Sequence, residues 1–367
     1  MKVRLLTPSE ARPRLLAAAR LGGVESVGDA LVELGCVQLD PIDRVGRSQD
    51  LVLHARVPGY RRDGWIGVGS AFEHFAKERC LLPAWLFPWY RERSREQPWW
   101  RATERMKRLS PELLSAVLGE VRERGVVSAR ELSDHGRVKP LDWNGWKGTS
   151  SAAKLALETL WQRCEVVVCD RDPRGQHRYC VPEVGLPAFW DAPAPSDDEV
   201  LLERVRQAGW LPLASGPWWG QLRWMRERTE ALVASGRLVA VRVTGSRRTW
   251  VVLAEQLDQV WEPDGRMRVI APLDPLIWDR KLIELAFGFE YLWEIYKPAE
   301  KRRWGYYVCP LLHQGGFSGR IEGRRTEGGI ELIGRWGTPD AAALDAALAS
   351  LWAMQAKDPR PGSDGSP

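Results

Sequence analysis

Gln38 and Asp40 stand two residues apart in the run Cys36-Val37-Gln38-Leu39-Asp40-Pro41, which follows Gly35. Glycine before the run and proline after it favour a short extended segment, since proline disfavours helical backbone at the residue preceding it. Side chains two apart in extended chain share a face, so Gln38 and Asp40 project together while Leu39 turns into the core. A carboxylate beside an amide can hold and deprotonate a water, or steady a sugar that becomes cationic as its base departs. The second task is electrostatic, because positive charge develops on the ring as the glycosidic bond breaks. The same residues admit a structural reading. Asp40-Pro41-Ile42-Asp43 has the composition of a helix start, with Asp40 as cap, Pro41 in the first helical position and Asp43 in the third. Leu273-Asp274-Pro275-Leu276 is a second Asp-Pro pair open to that reading.

The elements that must carry this segment are legible as patterns. Thr7-Pro8-Ser9-Glu10 is a capping box that starts an amphipathic helix running to Arg20, ended by Gly22 and Gly23. A second helix covers roughly Val27 to Leu34. From Pro111 to Glu183 the pattern is that of a winged helix. Ser110 caps a helix ending near Gly125, a short helix opens at Ser128, and a third spans Ser151 to Arg163. A hairpin follows, Val166 to Asp170 and His177 to Val181, turning at Asp172-Pro173-Arg174-Gly175. Three helices and a two-stranded wing put the third helix in a major groove. The pattern recurs downstream with helices at Asp197–Ala208 and Pro217–Ala234 and strands at Arg237–Val243 and Trp250–Leu253. Strands around Val269, Tyr306–Val308 and Ile330–Ile333 and a helix from Asp340 to Trp352 complete the chain. The expected fold is therefore α+β, with tandem winged-helix (helix-turn-helix) domains and a C-terminal β-rich region. Its segments are 1–108 around the Gln-x-Asp run, winged helices at 109–190 and 197–254, a β-rich domain at 255–356 and a disordered tail at 357–367, with Asp191–Ser196 as linker.

Composition narrows the class. At 44% hydrophobic and 28% charged residues the 367-residue chain has a globular balance. It lacks 18 consecutive apolar residues, which argues against a membrane span, and its N-terminus lacks a signal peptide's apolar run. A cytoplasmic protein, nucleoid-associated when bound to DNA, is the expectation. The six cysteines form no C-x-x-C pair and the five histidines no ligand-spaced cluster, so neither metal nor cofactor is expected and the thiols read as reduced core residues. The net charge of +5 points weakly to polyanions. It is concentrated in two runs, Arg91 to Arg108 and Lys297 to Arg303. The 20 tryptophans are mostly core material, with one or two available to stack on bases.

Resemblance adds to this. Gly35-Cys36-Val37-Gln38-Leu39-Asp40-Pro41-Ile42, with Val45, Arg47 and Leu51-Val52-Leu53-His54-Ala55-Arg56 after it, closely resembles the YcaQ/AlkZ-type winged-helix crosslink-repair DNA glycosylases. The blocks Glu73–Pro83, Trp143–Glu183 and Ala271–Val308 look like the same family, the last being the longest match. The resemblance implies a metal-free monofunctional glycosylase with three winged helices, acting on N7-alkylated guanine and on interstrand crosslinks built from it. It carries the catalytic Gln-x-Asp motif onto Gln38 and Asp40: the acid activates water or steadies the sugar cation, and the amide positions the water. Where the family has a His-Glu-Ala-Ser-like tract, this chain has Lys77-Glu78-Arg79-Cys80. His74, one helical turn earlier on the same face, would stand in for the missing histidine, and Lys77 would meet phosphate. Arg47, Trp143 and Lys147 in the matching blocks are further candidate DNA contacts. Arg174, His177 and Arg178 of the wing are candidates for the backbone.

N7 alkylation makes guanine cationic and a good leaving group, so neither a strong general acid nor a lysine nucleophile is required. The expected partner is duplex DNA bearing alkylated purines or crosslinks, bound by a monomer. A non-enzymatic winged-helix DNA-binding regulator, with Asp40 only a cap, is the alternative. A hydrolase of free nucleosides is a third reading.

Overall fold

Thr7 opens the first helix as its sequence predicts. Its hydroxyl accepts from the Glu10 N–H, the Glu10 carboxylate accepts from the Thr7 N–H at 2.7 Å, and α1 runs Pro8–Ala18 behind strand β1 (Val3–Leu6). The computed structural model describes residues 2–76, 78–96, 109–139, 148–172, 174–214 and 216–355. Helix α2 (Val27–Leu34) starts from the Ser26 cap and stops at Gly35, whose φ of 62° is left-handed. A Cβ there would also strike the side chains of Glu203 and Gln207, so position 35 needs glycine twice over.

From α2 onward one order of elements occurs three times: helix, short strand, helix, then a hairpin whose second strand pairs with the short one. The first copy is α2, β2 (Val37–Gln38), α3 (Ser48–His54), β3 (Ala71–Phe75) and β4 (Arg79–Pro83), with sheet order β2-β4-β3. After α4 (Phe87–Glu96) the second copy uses α5 (Pro111–Arg124), then a short strand reduced to Val127, which bridges Tyr179. A small ladder of β5 (Arg137–Val138) and β6 (Ser150–Ser151) leads into α6 (Ala152–Gln162), and β7 (Val167–Arg171) and β8 (His177–Cys180) form the hairpin. Following α7 (Pro182–Gly185), the third copy is α8 (Asp197–Ala208), β9 (Leu211–Pro212), α9 (Arg228–Ala234), β10 (Leu238–Val243) and β11 (Trp250–Leu253). Its sheet runs β10-β11-β9, and β1 joins in parallel on β10. The C-terminal sheet is antiparallel in order β12 (Arg268–Val269), β13 (Val308–His313), β14 (Gly316–Arg325) and β15 (Ile330–Gly337), with α10 (Arg280–Phe287) before β13 and α11 (Ala341–Met354) last.

The chain divides into two compact units, one from residues up to 65, 75–81 and 197 onward, the other from 66–74 and 82–196. The expected segment 1–108 is divided between the two units. In the first unit Leu6, Leu15, Trp210, Val241, Trp250 and Leu282 make one apolar cluster, and Leu16, Leu21, Ala55, Ile270, Ile283 and Leu312 a second. Most of the buried tryptophans serve as core, as their number suggested. All six cysteines carry free thiols, five of them buried.

Three local expectations need correction, and one strand has no counterpart among the expected elements. Residues 128–132 make a single turn instead of a helix, with the Ser128 N–H donating to the Glu131 carboxylate at 2.6 Å. The 73–83 block carries strands β3 and β4, so His74 lies in a strand instead of on a helical face. Helix α6 buries Ala152, Ala153, Ala156 and Thr159 as well as its leucines and Trp161, which leaves Lys154 as its exposed side chain. Small residues on its second face let neighbours pack there too, so α6 has no face to offer a major groove. Strand β14, at the centre of the C-terminal sheet, carries the pattern Gly-Phe-Ser-Gly-Arg-Ile-Glu-Gly-Arg-Arg, which lacks the alternation that marks a strand. Gly319 and Gly323 are there because Trp336 O and Glu331 O approach too closely for a side chain.

Candidate active site

The Gln38–Asp40 segment is set by three backbone attachments. Gln38 pairs with Cys80 across β2 and β4, and the Leu39 N–H donates to Arg79 O at 2.8 Å. The Asp40 N–H donates to the side-chain carbonyl of Gln49 at 3.1 Å. Gln49 is itself buried in the first turn of α3, so a helix fixes where the strand ends. The regular strand stops at Gln38, and the simple alternation expected from sequence is not kept: Gln38 is 7% exposed, while Leu39 and Asp40 are half-buried.

Asp40 does not cap a helix. The next helix, α3, begins eight residues later, and the Asp40 Oδ1 instead accepts the Ile42 N–H at 2.9 Å in a local turn. Among the described residues its other carboxylate oxygen accepts no hydrogen bond and no cation pairs with it. Burial raises the Asp40 carboxyl above its ordinary value, and the Ile42 bond only partly offsets that. Asp274, the other Asp-Pro acid, is its opposite. Asp274 caps the short turn Pro275–Ile277 and is held by both terminal nitrogens of Arg56 at 2.8 and 2.9 Å, with both side chains fully buried.

The acids that follow Asp40 are compensated. Asp43 pairs with Arg62 and with Arg325 at 3.1 Å, which outweigh the effect of burial and hold its carboxyl below the ordinary value. Asp63 takes Arg47 at 2.8 Å, and Asp50 accepts the Tyr60 hydroxyl at 2.7 Å and the Asp63 N–H. Among the buried polar atoms without a partner among the described residues are the Gln38 Oε1 and the Tyr307 hydroxyl. Burial first, then Cys309, Asp40, Tyr291 and Asp43, push the Tyr307 hydroxyl well above its usual range. Tyr307 ends a loop that two buried carboxylates catch by its N–H groups. Glu294 accepts from Arg303 at 3.1 Å and Trp304 at 2.8 Å, and Glu322 from Tyr306 at 2.8 Å and Tyr307 at 3.2 Å. Burial works against the Glu294 charge, but the Lys297 ammonium and those N–H donors outweigh it and hold the carboxyl at about 2. A side chain on Gly305 would displace the Glu322 carboxylate.

The other candidates divide. Arg47 is in this unit but engaged by Asp63. His74 is 5% exposed, with its ring against Phe72, Tyr90 and Trp161 and its Nε2 3.3 Å from Gln162 O, which is a core position. Arg174 is exposed at the tip of the β7–β8 hairpin. His177 contacts the Tyr179 hydroxyl at 3.1 Å, and Arg178 donates to Val126 O at 3.0 Å. Lys77, Trp143 and Lys147 lie outside the described residues. Sequence reading missed Gln49, the Asp43 pairings and Tyr307. The tyrosine sits at the end of a block already marked by resemblance, whereas nothing in the spacing marks Gln49.

A carboxylate unpaired among the described residues, beside a buried amide, suits hydrolytic chemistry on a cationic centre. The family described as DNA glycosylase AlkZ-like matches residues 31–354, and the chain belongs to that family. It is a DNA glycosylase of the kind that serves DNA repair, and its substrate is DNA. The fold is similar to that of the Streptomyces sahachiroi DNA glycosylase AlkZ, with a TM-score of 0.59 at 15% identity, covering 95% of this chain and 96% of that one. Among the described residues no helix is long and apolar enough to cross a membrane.

Proposed function

We propose that this protein hydrolyses the N-glycosidic bond of N7-alkylated purines in duplex DNA and opens interstrand crosslinks built from them. In this reading the three helix–strand–helix–hairpin copies are winged helices, the protein acts as a monomer, and the site is the Gln-x-Asp segment. Asp40 activates the attacking water and stabilises the deoxyribose as it turns cationic, and Gln38 orients that water through its Oε1. The supporting observation is the half-exposed Asp40 carboxylate, unpaired among the described residues, beside a buried Gln38 Oε1 that also lacks a partner. Burial raises the Asp40 carboxyl above its ordinary value, and a carboxylate so raised is a stronger base. The cationic leaving group needs no proton, so the chain need supply only water and negative charge.

Incubation with duplex carrying a single N7-methylguanine, followed by alkali, should cut the strand at the lesion. A crosslinked duplex treated in the same way should separate on a denaturing gel. A regulator that only binds DNA gives no strand break in the first assay, and that result would end the glycosidic reading.

A further inference from the structure

Asp40 lies in the first compact unit, and the positive charge near it is sought within that unit. Asp43 and Asp63 already occupy Arg62, Arg325 and Arg47. Arg44 and Arg302 are two other guanidiniums of this unit. Arg44, four residues after Asp40, lies 5.3 Å from the centroid of the Tyr306 ring, and Arg302 lies 5.0 Å from the same centroid. Both arginines are half-exposed, and neither pairs with an acid among the described residues. Arg302 spends one nitrogen on Lys297 O at 2.8 Å, and the Nε of Arg44 is buried without a partner among the described residues.

Both charges sit over one ring and hence within about a Debye length of each other, so they repel without much screening. Cation–π contact with Tyr306 offsets part of this. The loop is held by N–H donors to Glu294 and Glu322, and Arg44 is tied by the Arg325 N–H on its carbonyl oxygen at 2.9 Å. A preorganised pair of forked donors without counter-charge is matched by phosphate, which guanidinium binds bidentately.

We propose that Arg44 and Arg302, spaced by Tyr306, form a clamp for the DNA phosphodiester backbone beside the Gln38–Asp40 segment. This rests on the site reading above and adds residues to it. The clamp fixes the strand whose sugar faces Asp40, and it keeps the phosphate charge on the arginines and away from the acid.

The test is the salt dependence of binding to a short undamaged duplex, followed by fluorescence anisotropy. Each phosphate contact adds about 0.9 to the slope of log K against log salt, so Arg44→Ala with Arg302→Ala should lower that slope by about 2 and weaken binding by about tenfold per arginine near 0.1 M salt. Arg44→Lys with Arg302→Lys should keep the slope. Arg324→Ala removes an exposed arginine already paired with Glu331 and should leave the slope alone. If the double variant does not fold, Arg302→Ala decides alone, with a drop of about 1. An unchanged slope, or an equal fall in Arg324→Ala, overturns the clamp. Because undamaged DNA is the probe, loss of the glycosidic reading and loss of the clamp give separate results.

Discussion

Asp40 and Asp274 both precede proline, and replacing each by asparagine should give opposite outcomes. Asparagine at 40 keeps an oxygen to accept the Ile42 N–H, so the local turn survives. What is lost is a charge that burial disfavours. The folded Asp40 binds its proton more tightly than the unfolded chain does, so the carboxylate lowers stability as pH rises through its titration. Asp40→Asn should therefore melt at or slightly above the wild type at pH 7, with the difference closing in acid. Its release of N7-methylguanine under single-turnover conditions should fall by about 10²–10⁴, the range for a positioned base, or about 3–5 kcal/mol of barrier. Asparagine at 274 leaves the Arg56 guanidinium fully buried and half-partnered. Breaking a buried pair costs about 3–5 kcal/mol, which for a unit of this size lowers the melting temperature by on the order of 10 °C. The release rate per folded molecule should hold. The measurements are a thermal melt and a release time course on the same preparations. An Asp40→Asn protein that melts several degrees low, or that releases base at the wild-type rate, refutes the assignment of chemistry to this acid.

Gln38→Ala removes a buried oxygen that has no partner among the described residues, so release should slow by about 10² with little change in melting temperature; unaltered kinetics would exclude the amide. The acid limb of the release-rate profile should have its midpoint above the ordinary aspartate value of 3.8, because burial raises the Asp40 carboxyl, and a midpoint below it would point to another group. The Glu294 carboxyl titrates at about 2 in the fold against 4.5 ordinarily, so its stabilisation is complete above the ordinary value and is lost as pH falls toward 2. Glu294→Gln should cost about 1.5–3 kcal/mol at neutral pH by urea melts, with the gap shrinking in acid. On the β7–β8 hairpin, Arg174→Ala should lower the salt slope of DNA binding by about 1, whereas Arg178→Ala, tied to Val126 O, should leave it nearly unchanged.

The sequence carries what is local. The Thr7–Glu10 box, the Gly35 stop and the β7–β8 and β10–β11 hairpins each depend on residues a few positions apart, and each was legible. So were Gln38 and Asp40 as a chemical pair, although not the shape of the chain that holds them. What escaped is held from a distance. Gly319 and Gly323 are dictated by neighbouring strands, and α6 is buried on faces that look permissive in sequence. Asp274 is paired by Arg56, which lies 218 positions away, whereas Asp40 has no such cation among the described residues.

That distant choice is where the proposed chemistry lies. Within 24 residues the chain carries Asp40, Asp43, Asp50 and Asp63. Arginines reach Asp43 and Asp63, one of them from β14, and a hydroxyl and an N–H satisfy Asp50. Asp40 alone of the four is left with a single local N–H, although Arg44 stands four residues away. Tyr306 holds that guanidinium over its own ring, where it is not spent on the acid. A transition state that is cationic at the sugar and anionic at the flanking phosphates needs both charges kept apart, because an Arg44–Asp40 ion pair would neutralise the two groups at once. Tyr306, which holds the Arg44 guanidinium over its ring, is therefore as much a requirement of the proposed reaction as the acid.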